Sequence, residues 1–219
     1  MENNCRLSFY SQPSEEVPGF ESHVDGCATK ILLGVFRGKK SLILIFSLLF
    51  ALACFAQTGI EYQNKRLDAS LKKNGTAFSQ LEEISCSSII NAGLEGKFFK
   101  INSKVSDVKY VFVGRVNSCR AGGCSIPGNT MTNAESEYFD YFILFDSSKT
   151  VKQVEVFNYQ ATHGYEITAK GWLKQFIGFT EKDTLLVNKD IDAISGATVS
   201  VFAITGDVQQ KTRLLNAIN

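Results

Sequence analysis

The chain has 219 residues, of which 44% are hydrophobic and 21% are charged, so it can form a sizeable core and is not an intrinsically disordered protein. Its 23 basic and 22 acidic side chains leave a formal net charge of +1. That balance provides no electrostatic footprint for nucleic acid, whose binding requires clustered basic side chains that neutralise phosphates, so no nucleic acid partner is predicted.

The most apolar segment of the chain, residues 42–56, determines the predicted compartment. It contains no charged side chain, it follows a basic flank at 37–40, and small residues precede Gln57. Its length falls short of the roughly 20 apolar residues that cross a bilayer. These features are typical of a signal peptide cleaved after Ala56, with an uncleaved membrane anchor and a buried core helix as the alternatives. In the first two cases the chain after Gln57 faces the outside, because positive charge resists translocation.

The same segment divides the chain into three predicted parts. Residues 1–38 are a polar leader or cytosolic tail, 39–56 are the signal peptide or membrane anchor, and 57–219 are an exported domain. We therefore expect a periplasmic protein, or one anchored to the membrane and facing outside the cytoplasm. The exported part keeps half of the six cysteines, which are too few for a fold held together by disulfides.

The exported part begins with a predicted polar linker at 57–74. Four hydrophobic residues at near-helical spacing then predict an amphipathic helix over 76–92. Runs rich in β-branched and aromatic residues predict three strands, at 109–116, 138–145 and 151–159. Turn residues at 146–149 join the last two of these strands as an antiparallel hairpin.

Two helices are predicted after the hairpin. The spacing of Trp172, Leu173 and Phe176 predicts a short helix over 167–177, which ends before Gly178. Apolar residues on one face predict a C-terminal helix over 198–218. The order of helix, strands and helices predicts an α+β fold, in which a small antiparallel sheet has flanking helices.

The most informative motif is DAISGAT at 192–198, where a loop enters the predicted C-terminal helix. The small residues Ser195, Gly196 and Ala197 allow the backbone to approach a bulky anion. The start of the helix offers unpaired N–H groups and the positive end of its dipole. These features are compatible with a phosphate site, at which the hydroxyl of Thr198 hydrogen-bonds to the phosphate or is esterified by it, although such residues are more often found as helix caps. The alternative is that Ser195 or Thr198 caps the helix and Gly196 forms a turn.

The motif resembles the signature of the FMN-binding domain family, which includes the flavoprotein subunits of the Rnf complex and of sodium-translocating quinone reductase. The segments 164–167 and 172–178 resemble the family as well, and the similarity extends roughly from Tyr138 to the C-terminus. It implies an FMN-binding-domain-like fold with its core at about 105–219. It also implies FMN as the cofactor, attached to Thr198 through a phosphoester bond.

The resemblance further implies how such a protein works and which partners it has. A dedicated flavin transferase attaches the cofactor outside the cytoplasm. The protein is then expected to carry electrons between a redox donor and a redox acceptor, as a membrane-associated subunit rather than a free-standing enzyme. A cofactor-free binding or accessory module with the same fold is the alternative.

Three further residues are candidates for contacts with the cofactor. Glu166 could orient the flavin, although Ile167 follows it where many family members have threonine. Asp192 could hold a metal ion or assist the attachment reaction. Trp172 could cover the flavin ring, as could Tyr165 or Phe176, but the helical spacing of Trp172 and Phe176 is more often typical of a hydrophobic core.

Cys119 and Cys124 form a CX4C loop after the first predicted strand. A structural disulfide is the simplest interpretation in an oxidising compartment. A metal site is an alternative, but it requires about four ligands, and Cys86 and His163 are the only other candidates in the exported part. A further alternative is a thiol-disulfide oxidoreductase, in which the two cysteines exchange electrons with a substrate or with a flavin.

Overall fold

The computed structural model describes residues 5–9, 59–86, 94–120 and 136–218. Its elements belong to one compact unit. The predicted signal peptide or anchor at 42–56 and the second cysteine of the CX4C loop, Cys124, lie outside the described residues. Within the described ranges, no helix is long and apolar enough to cross a membrane.

Six antiparallel strands form one sheet, and each strand pairs with its neighbour in sequence. The strands are β1 (Cys5–Phe9), β2 (Leu81–Cys86), β3 (Gly96–Ile101), β4 (Val108–Arg120), β5 (Ser136–Asp146) and β6 (Val151–Tyr159). The three predicted strands are therefore confirmed as β4, β5 and β6, and the structure extends β4 and β5 at both ends.

The predicted hairpin between β5 and β6 is also confirmed, and Asp146 explains its turn. The Asp146 carboxylate accepts hydrogen bonds from the N–H groups of Ser148 and Thr150, at 2.9 and 3.0 Å. Lys149 adopts a left-handed backbone conformation with φ of 60°. An aspartate that bonds to its own turn in this way favours the reversal of the chain.

Helices pack against both faces of the antiparallel sheet, and the fold belongs to the predicted α+β class. The helices are α1 (Lys65–Lys73), α2 (Lys170–Leu173) and α3 (Thr198–Ala217), and short 3-10 helices at Tyr165–Thr168 and Lys174–Phe176 flank α2. Successive residues of a strand point to opposite faces. Phe112 accordingly packs in the core beneath α3, whereas Val111 and Val113 pack in the core beneath α1.

The C-terminal helix is confirmed as α3, and the predicted short helix is divided. Four apolar residues of α3 are fully buried, namely Val201, Ile204, Val208 and Leu215. The segment predicted as one helix over 167–177 forms α2 and its two 3-10 helices instead. The predicted end at Gly178 holds, because this glycine has a φ of +91° that terminates the last turn.

The predicted helix over 76–92 is wrong in its described part. Phe78–Gln80 is a 3-10 helix and Leu81–Cys86 is strand β2, while 87–93 lie outside the described residues. Leu81 and Ile84 are both buried, but they belong to the cores on opposite faces of the sheet. Apolar residues three positions apart suggested one face of a helix. A strand also allows this spacing when both of its faces are buried, because residues three apart point to opposite faces.

The predicted polar linker at 57–74 is also wrong, because it contains α1. Asn64 caps this helix by accepting a hydrogen bond from the N–H of Leu67 at 2.9 Å. Leu67 and Leu71 are one turn apart, and both are completely buried against the sheet. Only two apolar residues make this contact, so the hydrophobic pattern of the segment is weak, and the asparagine cap was the available signal.

Candidate functional site

The DAISGAT motif leads directly into α3, and the start of this helix has no side-chain cap. Ala197 is the N-cap residue, and no side chain hydrogen-bonds to the first turn from that position. The N–H of Val201 donates to the carbonyl of Ala197 at 2.9 Å, and the preceding helical N–H groups have no intrahelical acceptor. The interpretation of Ser195 or Thr198 as a simple cap is therefore wrong.

The residues before the helix are open to an incoming ligand. Ser195, Gly196 and Thr198 are exposed, whereas Ala197 is buried and anchors the turn in the core. Gly196 has a φ of +82°, which other residues rarely adopt, and no atom lies within 4 Å of the position that a side chain would occupy there. The backbone is thus accessible beside the Thr198 hydroxyl.

Trp172 supports the first residue of the motif. Its indole N–H donates to the carbonyl of Asp192 at 2.9 Å, and the N–H of Asp192 donates to Oε1 of Gln175 at 2.7 Å. Trp172 is half-buried and packs edge-on against Phe176, at a ring distance of 5.5 Å. Because Phe176 is fully buried, it belongs to the core and cannot cover a ligand at the surface. Trp172 therefore stabilises the motif through a hydrogen bond and remains partly exposed to solvent.

The other predicted contact residues lie around the start of α3 with different exposures. Glu166 and Asp192 carry exposed carboxylates. Ile167 is completely buried in the core beneath α3, so its side chain stabilises the fold and does not reach a ligand. Across the described ranges, no group of three or more His, Cys, Asp or Glu side chains could hold a metal ion.

A cluster of three hydroxyls lies beneath the first turn of α3, and the sequence analysis missed it. Ser200 Oγ lies 2.8 Å from Ser118 Oγ in β4 and 3.0 Å from the Tyr159 hydroxyl in β6. Partial burial raises the pKa of Tyr159 above its ordinary value, and the hydrogen bond to Ser200 opposes that shift. These residues are 41 or more positions apart, so no local pattern could have revealed the cluster.

The CX4C loop begins next to this cluster. Cys119 follows Ser118 in β4, and its partner Cys124 lies outside the described residues. The disulfide therefore stays a prediction. Cys86, which was expected on a helix, is instead the last residue of strand β2.

A groove of about 460 Å³ runs beside the middle of α3, between this helix and β4. Its lining includes Arg115 and Lys211, and both are paired. The Arg115 guanidinium donates to both carboxylate oxygens of the buried Asp140, at 2.7 and 3.0 Å, which raises the pKa of Arg115. Lys211 Nζ donates to Asp207 at 2.7 Å. The first pair joins β4 to β5 and the second lies within α3, and the sequence analysis missed them also.

Comparison with known protein families agrees with the geometry of the site. The FMN-binding domain model matches residues 138–211, a segment that extends from β5 into α3 and contains the whole DAISGAT motif. No curated protein matches the chain. The family match confirms the resemblance that the motif predicted, and it indicates FMN as the cofactor.

The residues present fit a flavin phosphate. Unpaired N–H groups at the start of a 20-residue helix favour an anion, and the positive end of the helix dipole adds to this preference. The exposed Gly196 leaves room for phosphate oxygens beside the backbone. The fold and the site are consistent with the FMN-binding domain that matches residues 138–211.

Proposed function

We propose that this protein is an extracytoplasmic electron-transfer protein that carries FMN esterified to Thr198. The observation that carries the proposal is the exposed Thr198 residue at the uncapped start of α3, within the segment that matches the FMN-binding domain. When bound, FMN supplies transfer of one or two electrons, and the protein supplies binding, orientation and electrostatics.

Thr198 is better suited to esterification than the other hydroxyl residues of α3. Ser200 is 2% exposed, and its hydroxyl is engaged by two others. Thr205 is 3% exposed, while Thr212 is fully buried and donates to the carbonyl of Val208. Only Thr198 among these four is accessible to a modifying enzyme.

The attachment reaction forms a bond from Thr198 Oγ1 to phosphorus, breaks the bond from that phosphorus to its leaving group, which departs, and releases the hydroxyl proton to solvent. It requires a flavin nucleotide whose phosphate already carries a leaving group, and a flavin transferase would bind that donor. The N–H groups at the start of α3 would orient the phosphate oxygens. Trp172, which holds the backbone of Asp192, would limit the directions in which the flavin ring can lie.

Export is supported by the apolar segment at 42–56 and its basic flank. Strand β1 lies upstream of this segment and pairs with β2. Cleavage after Ala56 would remove β1, and a membrane-spanning anchor would separate it from β2. Strands β2 to β6 would remain as a five-stranded sheet. Its new edge, β2, carries Glu82 and Glu83, and charged residues at an edge oppose pairing with another chain.

The mass of the mature protein, expressed together with a flavin transferase, tests this proposal. We expect a chain that begins after Ala56 and carries one FMN that remains attached after denaturation. Thr198→Ala should abolish the attached flavin, whereas the matched control Thr205→Val should keep it, because the Thr205 hydroxyl is buried. A folded wild-type protein without flavin would contradict the proposal and favour the cofactor-free module.

The same measurement separates the remaining alternatives. An intact N-terminus would contradict cleavage and leave the uncleaved anchor and the buried core helix as the alternatives. Loss of flavin from the denatured wild type would contradict the ester while leaving FMN binding in place. Flavin retention in a Cys119→Ser variant with unchanged redox activity would exclude the thiol-disulfide alternative.

A further inference from the structure

The three hydroxyls beneath α3 form a hydrogen-bonded chain with a defined direction. The Tyr159 hydroxyl donates to the carbonyl of His163, and a carbonyl can only accept. Since a tyrosine has one hydroxyl proton, Ser200 must donate to Tyr159 and Ser118 must donate to Ser200. Each hydroxyl proton is therefore donated once, and the row of hydrogen bonds ends at the carbonyl of His163.

These hydrogen bonds hold Gly164, the residue after His163, in close contact with α3. Gly164 has a φ of +91°, and a side chain there would lie 2.7 Å from Ser200 Oγ and 2.9 Å from the Tyr159 hydroxyl. Both the conformation and the space therefore require glycine. The backbone at 163–164 thus lies directly against the first turn of the helix that begins with Thr198.

Aromatic contacts extend this arrangement to the surface. The Tyr159 ring stacks on Phe139 with centroids 5.6 Å apart and meets the ring of Tyr165 edge-on at the same distance. Tyr165 is 63% exposed and precedes the exposed Glu166. The position of this exposed pair is therefore set by Tyr159, whose hydroxyl is held by Ser200.

We infer that Ser200 is a positioning residue of the flavin site, which acts through Tyr159 and the 163–166 segment. The inference rests on the proposed attachment of FMN at Thr198, two residues before Ser200. The hydroxyl chain holds Tyr165 and Glu166 beside the start of α3, so that one side of the bound flavin is shielded from solvent. Ser200 does not touch the flavin, because its hydroxyl is buried and directed to Tyr159 and Ser118.

The first test uses protein that cannot carry the ester, so it does not depend on the flavin. In the Thr198→Ala background, we expect Ser200→Ala or Tyr159→Phe to increase amide hydrogen exchange at 163–169. Loss of a hydrogen bond worth about 1 kcal/mol raises the displaced population of the segment about fivefold. Tyr159→Phe keeps the ring contacts, so it isolates the effect of the hydroxyl.

The matched control is Thr205→Val, which removes a buried hydroxyl from the same helix. Within the described part of the chain, Thr205 Oγ1 has no hydrogen-bond partner. We therefore expect no change in exchange at 163–169 for this variant. Equal exchange in Ser200→Ala and in its parent would overturn the inference, as would an equal increase in the control.

The second test uses the flavinylated protein and measures quenching of flavin fluorescence by iodide. We expect Ser200→Ala and Tyr159→Phe to keep the covalent flavin but to raise its accessibility to iodide, by up to the same fivefold factor. The double variant should show no larger increase than Tyr159→Phe alone, because Ser200 acts only through the Tyr159 hydroxyl. Unchanged quenching in both single variants would overturn the positioning role.

The two proposals fail in different ways. Wild-type protein without attached flavin contradicts the proposed function, whatever the exchange experiment shows. Wild-type protein with flavin, together with unchanged exchange and quenching in the Ser200→Ala and Tyr159→Phe variants, contradicts only the role of Ser200. Tyr159→Phe removes one half-buried hydroxyl. It therefore still tests the role of these hydrogen bonds if Ser200→Ala does not fold.

Discussion

The first turn of α3 and the middle of the same helix differ in how their polar groups are paired. In the first turn, Thr198 is exposed and the helical N–H groups have no side-chain cap. Farther along, Asp207 accepts hydrogen bonds from Lys211 and from the Tyr141 hydroxyl. Lys211 is only 4% exposed, although it is charged.

The first turn of α3 is suited to binding a ligand, whereas the region around Asp207 anchors the helix to the sheet. Buried polar groups stabilise a fold only when they are paired, so the network around Asp207 fixes α3 on the sheet. The first turn can leave its N–H groups unpaired because they face solvent, where a phosphate can replace water. We therefore expect substitutions around Asp207 to change the stability of the fold. Substitutions in the first turn should instead change the binding of the flavin.

The largest effect on stability is expected from Asp207→Ala. The substitution leaves the buried Lys211 ammonium without its carboxylate, and breaking a buried ion pair costs about 3–5 kcal/mol. Urea unfolding should report this loss. Asp107→Ala, at an exposed carboxylate, is the control and should stay within about 0.5 kcal/mol of wild type. An equal, small effect in both variants would contradict the anchoring role.

A smaller effect, with a defined pH dependence, is expected from Tyr141→Phe. Burial, with a further contribution from Asp207, raises the pKa of Tyr141 well above its ordinary value of 10.0. Above about pH 10 the unfolded chain ionises at this residue while the folded protein stays protonated, so rising pH favours unfolding. At neutral pH the lost hydrogen bond to a charged group should cost about 1.5–3 kcal/mol.

Comparing wild type with Tyr141→Phe between pH 8 and 11 isolates this contribution. The stability advantage of wild type should shrink above about pH 10, by up to about 1.4 kcal/mol per pH unit. Unfolding free energies that stay parallel over this range would show that Tyr141 has an ordinary pKa in the folded protein.

The smallest effect is a gain from Gly206→Ala. This exposed glycine lies in the interior of α3, and no atom lies within 4 Å of the position of an added Cβ. Replacing a helical glycine by alanine stabilises a protein by about 0.5–1 kcal/mol. Thermal unfolding should show the gain, and the yield of attached flavin should not change. A loss of stability would indicate that the groove beside α3 is narrower than the structure shows.

Local patterns predicted the elements whose hydrophobic residues face one way or form continuous runs. Strands β4 to β6 are rich in aromatic and β-branched residues, and α3 buries apolar residues at helical spacing. Strand β2 was mistaken for a helix because Leu81 and Ile84 enter different cores. Helix α1 was missed because only Leu67 and Leu71 anchor it.

The sequence likewise predicted some features of the candidate site and missed others. The small residues and the threonine of DAISGAT pointed to a phosphate site, and the family match at 138–211 agrees with that interpretation. The role of Trp172 was predicted only as a cover for the ring, whereas the structure adds its hydrogen bond to Asp192. Ile167 stands where many family members have threonine, and the structure buries its side chain completely in the core.

The sequence by itself indicated the cofactor and a candidate site for it: a small-residue turn before a helix, a hydroxyl at the first helical position, and a resemblance that names FMN. These features are local, so they can be read from consecutive residues. The tertiary structure decided which hydroxyl is accessible and which are buried. Ser118, Tyr159 and Ser200 meet only because β4, β6 and α3 pack together, and hydrogen bonds depend on distance in space rather than along the chain.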